Sequence, residues 1–266
     1  MKKIKQYLRV YRLRFKLALK IQSHSLANFN IGIFAFLVIQ FSSILFLNII
    51  FENVVNLEGF SFYQMIALYG FSQLTRGLDH FYSDYLWVFA TRGYIRGEFD
   101  KYLTRPISPL FQIMIERIQF DALAEFLIGL LLVFYSLVNL NIPITLLTLL
   151  QILFFTIVGS TTYTSLKIIG AASAFWIKNG FPVVKSIYSF ADFAKYPLTI
   201  YPQALQTLLT FVLAYALTAY IPVQAIFMNG FTGTLIVKTL SIWLLLIFVS
   251  MIIWKRGTNR YEGSGN

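Results

Sequence analysis

The stretch IGIFAFLVIQFSSILFLNIIF at residues 31–51 decides the fold, because 21 successive positions carry no charged side chain. An α-helix rises about 1.5 Å per residue, so this stretch can cross the ~30 Å hydrocarbon core of a bilayer. Five more apolar stretches of similar length follow it, at about residues 60–78, 118–138, 144–166, 203–221 and 234–254. The sequence therefore predicts an all-α integral membrane fold with six transmembrane helices.

The composition supports a membrane protein. Charged residues make up 12% of the chain and hydrophobic residues 58%, whereas a soluble domain carries about 25% charged residues to solvate its surface. The chain has no cysteine and two histidines, which excludes disulfides and argues against a zinc or haem site. Six spans and their connections use nearly all of the chain, so residues 1–266 are predicted to form a single membrane domain.

The basic residues indicate how the chain is oriented in the membrane. Of the 22 Lys and Arg residues, 21 lie in the segments 2–20, 76–117, 167–195 and 255–260. None lies in the alternate connections 52–59, 139–143 and 222–233. Because Lys and Arg accumulate in cytoplasmic connections, this alternation predicts a multi-pass protein with both termini in the cytoplasm. It also explains the net charge of +11 without nucleic acid as a partner.

Residues 1–22 precede the first span and are predicted to form a basic amphipathic helix. Aromatic side chains recur at helical spacing on one face, at Tyr7, Tyr11 and Phe15. The basic side chains that recur with the same period on another face are Lys5, Arg9, Arg12, Lys16 and Lys20. The aromatic stripe favours a helix that lies in the membrane interface. A solvated basic tail that orients the chain is the alternative.

The inner connection after the second span contains the segment YIRGEFDKYLTRPISPL, residues 94–110. The side chains spaced to share one helical face are Ile95, Phe99, Tyr102 and Leu103. Pro106 disfavours helix at Arg105, and Ser108 suits an N-cap with Pro109 at the first position of the next helix. The pattern predicts a short amphipathic helix, a hard stop and a new helix. Such a projection can dock into the groove of a partner or lie on lipid.

Three motifs occur in order along the chain. The residues that follow the pattern G-x-x-D-x-x-L-x-R-P-x-x-P-L are Gly97, Asp100, Leu103, Arg105, Pro106, Pro109 and Leu110. The second motif is AKYPLTIYP at residues 194–202, and the third is the closing stretch WKRGTNRYEGSG at residues 254–265. Together they resemble the ABC type-2 permease family of bacterial ABC transporters, although the serine of the family's closing motif is shifted here by one position. The agreement in span number, topology and length extends this resemblance over the whole chain.

The resemblance implies the transmembrane permease subunit of an exporter in the bacterial cytoplasmic membrane. Such a subunit pairs with a second permease chain, as a homodimer or heterodimer, and with two cytoplasmic ABC ATP-binding subunits. The segment after the second span would be the coupling helix. On this analogy the residues facing the ATPase are Gly97, Glu98, Asp100, Leu103, Arg105 and Pro106. A re-entrant pair of helices before the last span is implied at residues 222–233, which contain Pro222, Asn229, Gly230 and Gly233.

The chain is predicted to be a non-catalytic subunit that binds no cofactor. The sequence has no G-x-x-x-x-G-K-[ST] phosphate-binding loop, so ATP and Mg²⁺ are expected on the partner ATPase. It also lacks the His-rich, Ser/Lys or paired-Asp constellation of an intramembrane enzyme. A membrane scaffold without transport activity is a further alternative.

Polar side chains within the spans are candidates for a transport pathway, because lipid exposure makes them costly. Glu125 in the third span is either a gating or proton-transfer group, or the partner of a base or polar group on a neighbouring helix. Gln40 in the first span and Gln151 in the fourth either line a path or hold helices together. If Glu125 carries protons, the chain would instead be a secondary transporter driven by an ion gradient.

Overall fold

The computed structural model of this chain describes residues 2–23, 26–228 and 230–262. Within these residues the chain forms helices and turns, with no β-strand. In chain order the α-helices are α1 (Lys2–Ser23), α2 (Leu26–Asn53), α3 (Phe62–Ser83), α4 (Tyr85–Val88), α5 (Asp100–Leu103), α6 (Pro109–Met114), α7 (Ala122–Asn139), α8 (Leu146–Ile177), α9 (Phe181–Ala191), α10 (Gln203–Thr207), α11 (Tyr220–Phe227) and α12 (Gly233–Asn259).

Among the described residues, four helices are long and apolar enough to cross a membrane. They are α7, α8, α12 and the part of α2 from Asn30 to Asn53. A fifth candidate is a bent pair of helices, Gln203–Val212 and Tyr215–Phe227. These helices confirm the predicted all-helical membrane fold, and the count of six spans remains a prediction.

The predicted second span corresponds to α3, which is not among the apolar candidates. Its 22 residues reach about 33 Å at 1.5 Å per residue, so its length suits a span. Its polar side chains Gln73, Thr75 and Asp79 are buried, and the helix packs against α7 and α8. A helix enclosed by other helices presents little surface to lipid, which explains how it tolerates this polarity.

Two glycines allow α3 and α7 to pack with their backbones in contact. A Cβ atom added at Gly77 would overlap the backbone of Phe126, and one added at Gly129 would overlap the backbone of Leu74. Small residues at such contacts are the usual means of close helix packing in membranes. The two helices therefore form one closely packed unit, which carries Glu125 and its partners.

The third predicted span begins later than residue 118. The helix α7 starts at Ala122, because the preceding residues make hydrogen bonds outside a helix. The backbone N–H of Gln119 donates to the carbonyl of Phe81 at 3.2 Å. The fourth predicted span corresponds to α8, which starts at Leu146 and continues to Ile177, so the apolar stretch beyond residue 166 belongs to the same helix.

The prediction of one continuous helix over residues 203–221 is wrong. The chain bends by 75° between Val212 and Tyr215, and Ala214 adopts a left-handed conformation with φ 55°. Thr75 on α3 donates a hydrogen bond to the carbonyl of Thr218 at 3.2 Å, which satisfies a backbone group beside the break.

At residues 222–233, where a re-entrant pair of helices was expected, the structure has most of α11 and the start of α12. Pro222 lies in the first turn of α11, where proline is tolerated, so the break precedes this segment. Gly230 follows α11, and Gly233 starts α12. Asn229 lies outside the described residues.

The N-terminal helix is formed as predicted, but its aromatic stripe faces the protein. The Tyr7 ring lies 4.8 Å from the Phe111 ring, and the Phe15 ring lies 5.5 Å from the Phe120 ring. Arg14 also donates to Glu116 at 2.7 Å. The residues lining the outer, exposed groove of α1 are Lys5, Leu8, Arg9, Arg12, Leu13 and Lys16. The aromatic side chains that suggested contact with the membrane therefore pack against residues 108–120 of the protein.

Candidate coupling surface and buried ionic network

Residues 94–106 form a compact projection between α3 and α7, here called the coupling projection. It follows a π-helical turn at Phe89–Gly93 and contains only one short helix, α5. The predicted helix with one apolar face is wrong, because Gly97 adopts φ 66°, a conformation that interrupts a helix and that glycine accepts without strain. Phe99 and Tyr102 are fully buried, while Ile95 and Leu103 are 59% and 52% exposed.

This split between inward and outward side chains gives the projection an exposed apolar surface with cations around it. Ile95 and Leu103 point outward, and the charged side chains exposed near them are Arg92, Arg96, Asp100 and Arg105. Pro106 is exposed beside Arg105 and ends the projection. Such a surface is suited to an apolar groove with an acidic rim.

Glu98, one of the residues expected to face the ATPase, is partly exposed and pairs within the chain. Lys101 donates to Glu98 at 3.2 Å and lies 3.7 Å from Glu116. Since Arg14 on α1 binds the same Glu116 at 2.7 Å, these charges link the projection to the N-terminal helix. The backbone N–H of Ser108 completes the link by donating to the Tyr7 hydroxyl at 3.0 Å. Ser108 precedes α6 as predicted, with Pro109 in its first turn, although its side chain makes no capping hydrogen bond.

Two tyrosines, Tyr102 in the projection and Tyr85 before it, remain neutral hydroxyls. Burial raises the pKa of the Tyr102 hydroxyl, and the nearby carboxylate of Glu116 raises it further. Burial likewise raises the pKa of Tyr85, whose hydroxyl donates to Glu98 at 3.4 Å. Neither tyrosine therefore adds negative charge to the projection at neutral pH.

Glu125 pairs with two side chains of α3. Arg76 Nε donates to one carboxylate oxygen, and His80 Nδ1 lies 3.0 Å from the other. Glu125 is 5% exposed, so an unpaired carboxylate there would be costly. Of the two interpretations of Glu125, pairing with a neighbouring helix is therefore the one with direct geometric support.

A second ionic group involves the same helix α3 and was not predicted from the sequence. Lys167 Nζ, on α8, lies 2.6 Å from Asp79 Oδ2 and 2.9 Å from Asp84 Oδ1. Asp79 is fully buried and Lys167 is 2% exposed. Thr164 donates to Asp79 at 2.7 Å, and Tyr188 donates to Asp84 at 2.7 Å. The group joins α3, α8 and α9 through charged contacts.

A signal for this network was present in the sequence. The polar side chains that recur every three or four residues along α3 are Gln73, Arg76, His80 and Asp84. This spacing indicates a polar helical face. Arg76 and Lys167 had been counted among the cytoplasmic bases, but both lie within helices and in ion pairs. The alternation of basic segments survives their removal, because other bases remain in each segment.

Gln40 and Gln151 have different surroundings. Gln40 is buried, accepts a hydrogen bond from Tyr69 and donates to Gln73 at 3.4 Å, which brings α2 to the polar face of α3. Gln151 is partly exposed, and 16 residues of α8 separate it from Lys167, a distance of about 24 Å along a helix. The structure brings Gln40 and Glu125 to the same helix face and leaves Gln151 apart.

An open cleft of about 510 Å³ leads to the network. Its lining includes Arg76, His80, Asp84, Trp87, Lys185 and Tyr188. The cleft combines aromatic walls with charges of both signs, and it reaches the buried Arg76–Glu125 pair. In the part of the chain that the structure describes, no cluster of three or more His, Cys, Asp or Glu side chains could hold a metal ion.

A family model described as "ABC-2 family transporter protein" matches residues 37–265. The matched region begins within α2 and includes the coupling projection, the ionic network and α12. Of the closing motif, residues 254–262 are described, while Gly263, Ser264 and Gly265 lie outside the described residues. No curated protein and no solved structure matches the chain.

Proposed function

We propose that this chain, which belongs to the ABC-2 family of transporter proteins, is the permease subunit of an ATP-driven exporter. The observation that carries the proposal is the family match over residues 37–265. The exposed coupling projection supports it. In this proposal the chain crosses the bacterial cytoplasmic membrane six times, with α3 as the second span and the bent pair as the fifth. Both termini lie in the cytoplasm.

The energy for transport comes from other subunits. Two ABC ATP-binding subunits hold ATP and Mg²⁺, and a second permease chain, identical or different, completes the transporter. Closure of the ATPases pushes on the projection and rearranges the membrane helices as rigid bodies. This chain then moves substrate without catalysing a reaction itself.

In this proposal the outward side chains of the coupling projection face the ATPase. Leu103 and Ile95 are the exposed apolar side chains, and Asp100, Arg105 and Pro106 are exposed beside Leu103. Gly97 forms the turn that separates the inward and outward side chains. Glu98 pairs with Lys101, which also lies near Glu116. We expect Glu98 to hold the projection in place and not to be the main contact with the ATPase. The partner surface should therefore offer an apolar pocket for Leu103 and carboxylates for the arginines.

Co-purification tests the proposal. The tagged chain, expressed in its native host, should retain a subunit with a phosphate-binding loop and ATPase activity. The Leu103→Glu variant should lose that subunit, because it places a negative charge where the partner is proposed to offer an apolar pocket and carboxylates. Arg260→Glu, an exposed residue just beyond α12, is the control and should retain it. A wild-type chain that never retains an ATPase would contradict the proposal.

The alternative function is transport driven by an ion gradient, with Glu125 as the proton carrier. Arg76 and His80 contact the two carboxylate oxygens of Glu125, so a proton could bind there only if one of these contacts were broken. This environment does not suit repeated protonation. Transport by ATP-depleted vesicles under an imposed pH gradient would restore the alternative.

A further inference from the structure

We propose that Phe99 transmits movement of the coupling projection to α8 and α12, a role that rests on the proposed ATPase docking. Phe99 is the inward counterpart of Leu103. Leu103 is half exposed and available to a partner, whereas the Phe99 side chain is fully buried. A force applied to the outer side of this short segment must therefore reach whatever Phe99 contacts.

The contacts of Phe99 are rings from distant parts of the chain. Its ring centroid lies 5.1 Å from Phe175 on α8 and 6.3 Å from Trp254 on α12. It also lies 4.8 Å from Tyr261 and 5.7 Å from Phe89. These five rings, here called the aromatic clamp, join the projection to two helices that are apolar enough to span the membrane.

The clamp is also tightly packed between α8 and α12. Phe175 lies 5.5 Å from Trp254, and a Cβ atom added at Gly257 would come within 2.6 Å of the Phe175 ring. Close-packed interiors have low compressibility and transmit strain. A displacement of Phe99 should therefore move the inner ends of α8 and α12 and should not be absorbed locally.

Tyr102 provides a matched control within the same projection. It is as deeply buried as Phe99, but its ring lies beneath Lys101 Nζ at 4.8 Å, and its backbone carbonyl accepts from Gln112 on α6 at 3.0 Å. Loss of either ring removes a similar apolar volume from the projection. Only loss of Phe99 removes a ring of the aromatic clamp.

The test measures a distance within the permease while it is bound to its ATPase. Because the chain contains no cysteine, spin labels can be placed at Ile49→Cys on α2 and Val237→Cys on α12, both exposed positions. The distance between the labels is measured by pulsed electron paramagnetic resonance, without nucleotide and with ATP trapped by vanadate. This doubly labelled chain is studied in three forms: with Phe99→Leu, with Tyr102→Leu and without a further substitution. ATPase retention and thermal stability are measured in parallel.

We expect Phe99→Leu to retain the ATPase and to lose the ATP-dependent shift in distance. Tyr102→Leu should lose similar stability but keep the shift, a difference that a purely structural role of Phe99 would not produce. The proposal is overturned if the shift survives in Phe99→Leu, if Tyr102→Leu loses it equally, or if Phe99→Leu no longer retains the ATPase. If Phe99→Leu does not fold, the same distance is measured in the milder Phe99→Met variant. The results that support or overturn the proposal are then the same. Absence of ATPase or of any shift in the otherwise unsubstituted chain refutes the proposed function as well.

Discussion

At the scale of single residues, the charges buried among the helices are tolerated because they find an opposite charge on another helix. Arg76 meets Glu125 between α3 and α7, and Lys167 meets Asp79 between α3 and α8. A buried ion pair contributes little net stability, because desolvation offsets the attraction. Removal of one partner is costly, since the other charge is then left unpaired. These pairs therefore constrain which helices can be neighbours.

Replacement of Glu125 tests this constraint directly. Glu125→Leu should destabilise the detergent-solubilised protein by about 1–3 kcal/mol, because the partly buried Arg76 loses its main partner. Thermal unfolding followed by intrinsic fluorescence measures the change. The exposed Glu52→Gln serves as the control. The double variant Arg76→Leu/Glu125→Leu should recover part of the loss, and a double variant as unstable as the sum of both single variants would contradict pairing.

At the scale of elements, the closest contact described for the helices is the glycine-mediated packing of α3 on α7. The aromatic stripe of α1 shows a related effect, because the side chains that looked interfacial in sequence form contacts with residues 108–120. In both cases the nature of a helix face is set by the element that covers it. Sequence periodicity identifies a face but does not identify its neighbour.

The same substitution at two glycines separates packing from helix propensity. Gly77→Ala should destabilise the protein by about 1–3 kcal/mol, because the methyl group forces α3 and α7 apart. Gly32→Ala on α2, where nothing lies within 4 Å of the added Cβ, should be neutral or stabilising by up to about 1 kcal/mol, since alanine is the better helix former. Thermal unfolding in the same detergent compares them. Equal effects at the two positions would rule out the close contact.

At the scale of the whole molecule, the polar helix α3 is enclosed by apolar helices. The bent pair 203–227 and the coupling projection are the places where the chain departs from regular helix crossing. Proteins concentrate irregular backbone at functional positions within the membrane, where buried contacts satisfy it. The bend near Ala214 follows this rule, because Thr75 donates to the carbonyl of Thr218 beside it.

Single-cysteine labelling tests how the chain crosses the membrane. An impermeant maleimide should label Val55→Cys and Phe231→Cys in intact cells. Gln203→Cys and Arg260→Cys should react only after lysis, because the proposed orientation places them on the basic, cytoplasmic side. The cysteine-free chain is the control. Labelling of positions 203 and 231 from the same side would show that residues 203–227 form a re-entrant loop and do not cross.

The sequence by itself determined the membrane environment, most span positions and the expected orientation. Transferring a charge into hydrocarbon is so costly that uncharged stretches and flanking bases are visible locally in the chain. Family resemblance, read from three short motifs, agreed with the match over residues 37–265. The tertiary structure alone revealed the bend at Ala214, the burial of Phe99, and the partners of Glu98, Glu125 and Lys167. These features depend on contacts between residues far apart in the chain. The free energy of such contacts cannot be inferred from a local sequence pattern.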